Sequence, residues 1–353
     1  MLTPASYYPE GVKRRYQVLL SLALTAVLVA LFLWNVDMGA VARDLGGADP
    51  FWLGAAVVLA LLSYWLRAVR WGIILRPAAR VRHSSLVLTT AVGYAAMTLL
   101  PARMGDVIRP VLLARRDRFP VSAALASVLT ERLFDMWTVV LFFMVFLLRP
   151  PAMAMGGEAR RWLHLLTVSG YVLAGGLAAG TLVMLGLFRY QERFIARVTA
   201  PVRRLRESWG EAAARFLGHF LDGLRIIRRP RDLAVAVFWS VAIWYSIYWQ
   251  VRTTMLAFGL DRPLRVAFLL VTLSIIGLAI PTPGGVGGFH KAIQVGLVAF
   301  LGVRTDLATG VAIAYHAVCF LPITVVGLLC MPVLGFSLTR PDALGDAAGE
   351  GDG

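Results

Sequence analysis

Cysteine is nearly absent. The 353-residue chain holds two, Cys319 and Cys330. They lie eleven positions apart within one apolar run, about 16 Å along a helix axis at the standard rise, too far to pair with each other. A disulfide framework and a cysteine metal set are therefore both excluded. Charge is also scarce, at 16% of residues against 59% hydrophobic. A large soluble enzyme is a poor match for that balance, and a polytopic helical membrane protein is a good one. No Gly-Lys-Ser/Thr follows any glycine cluster, so no nucleotide P-loop is present. No ATP-driven step, cofactor or catalytic metal is indicated. A nucleophile with its base is not evident either, and the expectation is of a protein that is not an enzyme.

Apolar length gives candidate segments at 18–34, 51–66, 84–100, 121–148, 163–188, 233–258, 266–280, 289–301 and 306–335. Lys13-Arg14-Arg15 before the first of these imitates a secretory leader, but no small-x-small cleavage site follows, and the segment is read as a span. Arginine sets the direction. Arg67, Arg70, Arg76, Arg80 and Arg82 follow the second segment; Arg115, Arg116 and Arg118 follow the third; eleven more lie between Arg189 and Arg231. All are expected on the cytoplasmic side, with both termini. The net charge of +15 thus reflects topology and does not call for nucleic acid.

Two apolar segments are interrupted alike, at Pro101-Ala102-Arg103-Met104-Gly105 and at Pro281-Thr282-Pro283-Gly284-Gly285-Val286-Gly287-Gly288. Broken backbone survives at membrane depth only where protein or water surrounds it. Keeping Arg115, Arg116 and Arg118 inside requires 84–113 to enter, turn and return. Three crossings later, the second hairpin at 266–301 enters from the opposite face. The reading is an all-α polytopic membrane protein with six full spans and two re-entrant helical hairpins in an inverted repeat, about eight helices if each hairpin counts as a span. Such paired breaks point to a binding site near the midplane. The membrane domain covers 18–335, between a cytoplasmic stretch 1–17 and a Gly/Ala/Asp-rich tail 336–353. Within it, 189–232 carries Trp209, Ala213, Phe216, Phe220, Leu224 and Ile227 at helical spacing among arginines, an amphipathic basic segment suited to an anionic leaflet.

Charges inside the apolar segments are the candidate site. Arg103, Asp106 and Arg109 recur at every third position, and Glu131, Arg132 and Asp135 sit about ten residues into the next span. Each costs at least about 2.5–3.5 kcal/mol at mid-bilayer unless paired or hydrated. A purely structural ion-pair lock is one reading. The other is a polar cavity in which Arg103, Arg109 and Arg132 grip a phosphate through forked hydrogen bonds, with Asp106, Glu131 and Asp135 orienting them or carrying protons. In the second unit Pro283, Gly284, Gly285, Gly287 and Gly288 permit close backbone approach, and the helix starting near Phe289 offers N–H groups to an anion. His290, Lys291, Tyr315 and His316 add titratable groups; no metal is assigned.

Leu99 to Arg109, then Glu131-Arg132-Leu133-Phe134-Asp135, then Pro281 to Phe289, and finally Leu321-Pro322 with Gly327, resemble the transmembrane domain family of lysylphosphatidylglycerol synthase/flippase over about residues 15–335. The resemblance implies an integral protein of the bacterial inner membrane that translocates a lipid; the alternatives are a non-transporting membrane partner of a lipid-modifying enzyme and a membrane-embedded enzyme acting on a lipid phosphate or glycolipid. Its partners would be an anionic phospholipid or a polyprenyl- or hopanoid-type lipid, with a separately encoded lipid-modifying enzyme as a further candidate partner. Two positions depart from the family pattern: His290 stands where an acidic residue is usual, and His316 where an arginine follows the tyrosine. A histidine pair there implies pH-sensitive transport near neutrality. No soluble domain sized for aminoacyl-tRNA remains outside the spans, so lipid aminoacylation is not expected.

Overall fold

The computed structural model describes residues 23–100, 104–148, 157–223, 226 and 229–335. The stretches 1–17 and 336–353, Arg103, Leu224 and Ile227 lie outside them. Every regular element among the described residues is helical. In chain order these are α1 Ala23–Leu33, α2 Met38–Gly46, α3 Pro50–Leu75, α4 His83–Leu99, α5 Gly105–Asp117, α6 Val121–Leu148 and α7 Gly157–Arg189. They continue as α8 Gln191–Leu205, α9 Glu207–Gly223, α10 Pro230–Ala257, α11 Leu264–Leu278, α12 Gly288–Leu301 and α13 Thr305–Cys330.

Local chemistry explains several boundaries. Asp37 and Asp49 cap α2 and α3, each carboxylate accepting the N–H two residues on at 2.8 Å. The αL residues Gly302 and Arg118 close α12 and α5. α1 meets α2 at an 82° bend.

Four helices are long and apolar enough to cross a membrane, within Pro50–Leu75, His164–Val183, Pro230–Ala257 and Thr305–Cys330; counting the bent α1–α2 pair makes five. α6 has the length, 28 residues, but any stretch of it long enough to span holds Glu131, Arg132 and Asp135. Both interrupted segments are helical pairs, α4–α5 and α11–α12. α3 runs nine residues past the predicted end of its span at Leu66, which draws Arg67 and Arg70 out of the supposed loop and into the helix.

α3 packs along α10, α4 lies on α13, and α6 lies on α11. The largest apolar cluster joins α6, α10, α11, α12 and α13 through Phe143, Tyr248, Phe268, Phe289 and Tyr315. The basic 189–232 segment forms α8 and α9, which pack on each other and on α6, with Leu221 and Ile195 against Ala126. Trp209 and Phe216 of α9 stay exposed.

Small residues fix the hairpins. A Cβ at Gly105 would overlap the Gly93 carbonyl oxygen and the Met97 nitrogen, and one at Gly277 would overlap the carbonyl of Gly288. Each hairpin therefore closes through a glycine pair near its tip, where the backbones touch. Gly327 does the same for α13 against Ala91 of α4.

Candidate functional site

Asp135 of α6 is the most heavily bonded carboxylate. It accepts from Arg67 Nη1 at 3.1 Å, Arg70 Nη1 at 2.8 Å, Trp244 Nε1 at 3.0 Å and, at the limit of 3.5 Å, Arg132 Nη1. One helical turn earlier, Glu131 accepts from Arg109 Nη2 and, at 3.4 Å, from Arg70 Nη2. Arg70 also donates to Ser240 Oγ of α10 at 2.9 Å. The spacing of four between Glu131 and Asp135 sets both acids on one face of α6; Arg67 and Arg70, three apart, present the matching face of α3.

All of this is inside the protein. Arg70 is fully buried, and Arg109, Glu131, Asp135 and Arg67 are nearly so. Arg109 reaches in from α5 through a gap that Gly93 leaves open: a Cβ on Gly93 would stand 2.6 Å from that of Arg109. Its guanidinium lies over the Trp71 indole, whose Nε1 donates to Ser127 Oγ at 2.8 Å. The network opens at one end, where Arg132 Nη2 meets Asp106 Oδ1 at 2.5 Å with about a quarter of each side chain exposed.

Four arginines face three carboxylates here, so the network keeps one positive charge in excess. Nε and Nη1 of Arg109, Nε of Arg70 and Nε of Arg132 have no hydrogen-bond partner among the described residues. Since buried donors are normally paired, the arrangement resembles an anion site whose acids already hold the arginines in place. Arg109 and Arg132 are not free forks, as a phosphate clamp built on sequence alone would have them: Arg109 commits Nη2 to Glu131, and Arg132 commits Nη2 to Asp106 and, at 3.5 Å, Nη1 to Asp135.

The second unit is arranged differently. Gly284, Gly285 and Gly287 all take positive φ, which only glycine adopts without strain. The turn bonds its own N–H groups: Gly285 to Thr282 O, Val286 to Pro283 O and Gly287 to His290 Nδ1. Gly288 is pressed on Gly277. The N–H groups of Gly285, Val286 and Gly287 are thus engaged within the turn, and Gly288 serves close packing.

His290 and His316 come together, ring centroids 4.4 Å apart. His316 Nε2–H donates to Gly284 O at 2.8 Å, and His290 Nδ1 accepts from Gly287, so these rings brace the turn after Pro283. Tyr315 is buried against Phe289, and Lys291 turns to Gln294 Oε1 at 2.7 Å. The structure brings neither to the arginine network.

The two hairpin tips meet. A cavity of about 270 Å³ lies between them, lined by Met97 and Leu100 before the first break, Ile280, Thr282 and Gly284 of the second, and Phe320 of α13. It is mainly apolar, yet the buried Thr282 hydroxyl has no partner among the described residues.

Sequence reasoning alone does not single out Arg67, Arg70, Trp71 and Trp244 as site residues. For three of them a signal is present: after Leu66 no proline occurs before Pro77, and Tyr64, Arg67 and Trp71 keep helical spacing past the last apolar run.

The profile of the lysylphosphatidylglycerol synthase TM region matches residues 18–327. This chain belongs to that family. Among the curated relatives of this family member, a UPF0104 membrane protein of Methanothermobacter thermautotrophicus is 23% identical, covering 93% of this chain and 96% of its own length. Another UPF0104 membrane protein, from Pyrococcus horikoshii, is 24% identical over 88% of this chain and 96% of its own. Glycosyltransferase AglD of Haloferax volcanii is 28% identical over 93% of this chain but only 56% of its own length. The chain thus spans about half of that relative. Family membership together with the apolar helices establishes a multi-pass membrane protein.

One expectation is corrected. The sequence argues against an enzyme because no catalytic motif is legible, but a relative that aligns with nearly the whole chain bears a glycosyltransferase's name. An absent motif is no ground for that exclusion.

Proposed function

We propose that this family member moves a phospholipid or a lipid-linked anionic headgroup across the bacterial inner membrane. The observation that carries the reading is the excess positive charge of the buried network, which reaches the surface at Arg132 and Asp106. A cation excess in a low-dielectric interior is costly, and an anionic headgroup would neutralise it. The unpartnered Arg109 nitrogens give that headgroup further donors.

The helix packing supports an inverted repeat of α3–α6 and α10–α13. The pairs correspond: α3 with α10 is its own counterpart, and α4 on α13 answers α11 on α6. With the hairpins entering from opposite faces, six full crossings include α6 in spite of its charges, and the basic ends face the cytoplasm. The apolar cavity between the tips suits the lipid's hydrocarbon part.

A second reading rests on the name of the Haloferax relative: the headgroup held at Arg132 would be the lipid carrier of a glycosyl group, and the chain would take part in its transfer.

The test is a liposome assay with fluorescent anionic and zwitterionic phospholipids, comparing wild type with Asp106→Asn and Arg132→Gln at matched thermal stability. Both positions lie at the exposed rim; Arg132→Gln also removes the long 3.5 Å contact to Asp135, which keeps Arg67 and Arg70. Translocation of the anionic probe falling about tenfold or more in Arg132→Gln, the scale of one charge-assisted hydrogen bond, supports the reading. Absence of translocation by wild type over the whole lipid panel overturns it.

A further inference from the structure

A second basic site lies apart from the buried network, at the end of the first hairpin away from its tip. Arg80 and Arg82 come from the α3–α4 connection, and Arg116 and Arg118 from the end of α5. Together with Asp117 they line a cavity of about 560 Å³. All four arginines are exposed.

The two segments are held in register by the one acid among them. Asp117 Oδ1 accepts from Ser85 Oγ at 3.1 Å, and Oδ2 accepts from the Arg82 backbone N–H at 3.3 Å. Arg116 Nε donates to the same Ser85 Oγ at 3.2 Å. Asp117 is thus occupied in joining the start of α4 to the end of α5. It forms no ion pair with the surrounding guanidinium groups among the described residues. Arg118 takes a left-handed backbone, φ 53° and ψ 63°, a conformation that costs a non-glycine residue energy and that turns the chain sharply at the cavity wall. Arg80, Arg82 and Arg118 make no side-chain hydrogen bond or ion pair among the described residues.

Orientation in the membrane requires positive charge on one side, but it does not require that charge to converge on one cavity from two segments 35 positions apart. We propose that this cavity binds a diphosphate group. Four guanidiniums from two directions can engage two phosphates with forked hydrogen bonds, and a net charge of three from four arginines and one aspartate matches a strongly charged anion better than a single phosphodiester. The group is carried on a lipid at the membrane surface or is free in solution; its recognition chemistry is the same. This site does not depend on the transport reading, because it shares no residue with the buried network.

The experiment is calorimetric titration of the full-length protein in detergent with inorganic diphosphate, farnesyl diphosphate and inorganic phosphate. Wild type is expected to bind a diphosphate probe more tightly than phosphate. The Arg80→Gln/Arg118→Gln variant is expected to bind it about a hundredfold more weakly, about tenfold for each charge-assisted hydrogen bond removed. Arg76→Gln, an exposed arginine paired with Asp232 outside the cavity, should match wild type. Equal binding of inorganic and farnesyl diphosphate assigns a free anion, and binding of farnesyl diphosphate alone assigns a lipid. Absence of diphosphate binding, or unchanged affinity in the double variant with its unfolding temperature preserved, overturns the proposal.

Discussion

The guanidinium of Arg109 stands over the indole of Trp71, 4.2 Å from the ring centroid, while its Nη2 holds Glu131. One side chain therefore satisfies an acid and an aromatic face at once, which a planar fork can do and a point-like ammonium cannot. Arg109→Lys is expected to cost on the order of 2 kcal/mol, the scale of a desolvated cation–π interaction. Thermal unfolding in detergent reads it; an unchanged midpoint would mean the stacking contributes nothing.

Burial sorts the acids of the network. Glu131→Gln leaves Arg109 without a counter-charge inside the protein and Arg70 with Asp135 alone, a loss expected near 3–5 kcal/mol. Asp106→Asn removes a partner at a rim where water reaches, and should cost less than about 1 kcal/mol. Chemical denaturation of both variants decides whether depth in the protein governs their stability. Equal effects would contradict it.

The glycines divide in the same way. Gly105→Ala and Gly277→Ala drive a methyl group into backbone atoms of the opposing helix, with an expected loss of about 1–3 kcal/mol from overpacking. Gly175→Ala, on α7 with nothing within 4 Å of its Cβ position, should be neutral or slightly stabilising. Unfolding temperatures of the three variants, measured side by side, separate the cases.

Trp209 and Phe216 on α9 project from a helix whose other face rests on α6. Placed at the lipid surface, they would enter the headgroup boundary while neighbouring arginines meet anionic lipid. Brominated-lipid quenching of tryptophan fluorescence should therefore fall in Trp209→Phe, and more so in anionic than in zwitterionic vesicles. Identical quenching in wild type and variant would place Trp209 away from the bilayer.

Much of this organisation is legible in the residues. Proline and glycine mark both interruptions because the residue pattern cannot continue helically through Pro101 or Pro281–Pro283, and the spacing of Glu131 and Asp135 puts both acids on one face. What eludes the sequence is partnership. Arg67 and Arg70 look like loop arginines because the uncharged run ends at Leu66, whereas the helix continues on propensity and on the burial of Trp71, Ile74 and Leu75. Nothing local says that α3 will lie along α10 and bring Ser240 and Trp244 to the same network. The glycines after Pro283 carry a real backbone requirement, but φ alone does not tell whether the freed N–H groups face a ligand or, as here, bond within the turn. His290 and His316 converge for a similar reason: their meeting depends on how α12 folds back on α13.

The seating of α4 on α13 has a consequence for synthesis. The surface of α4 that faces Gly327 emerges from the ribosome about 230 residues before its cover does, a delay on the order of ten to fifty seconds at usual elongation rates. Arg67 and Arg70 likewise precede Ser240 and Trp244 by much of the chain. The seat of α4 around Ala91 and Ala95 is therefore covered only when the C-terminal helix arrives, whereas the charged interior has all its members once α10 has emerged.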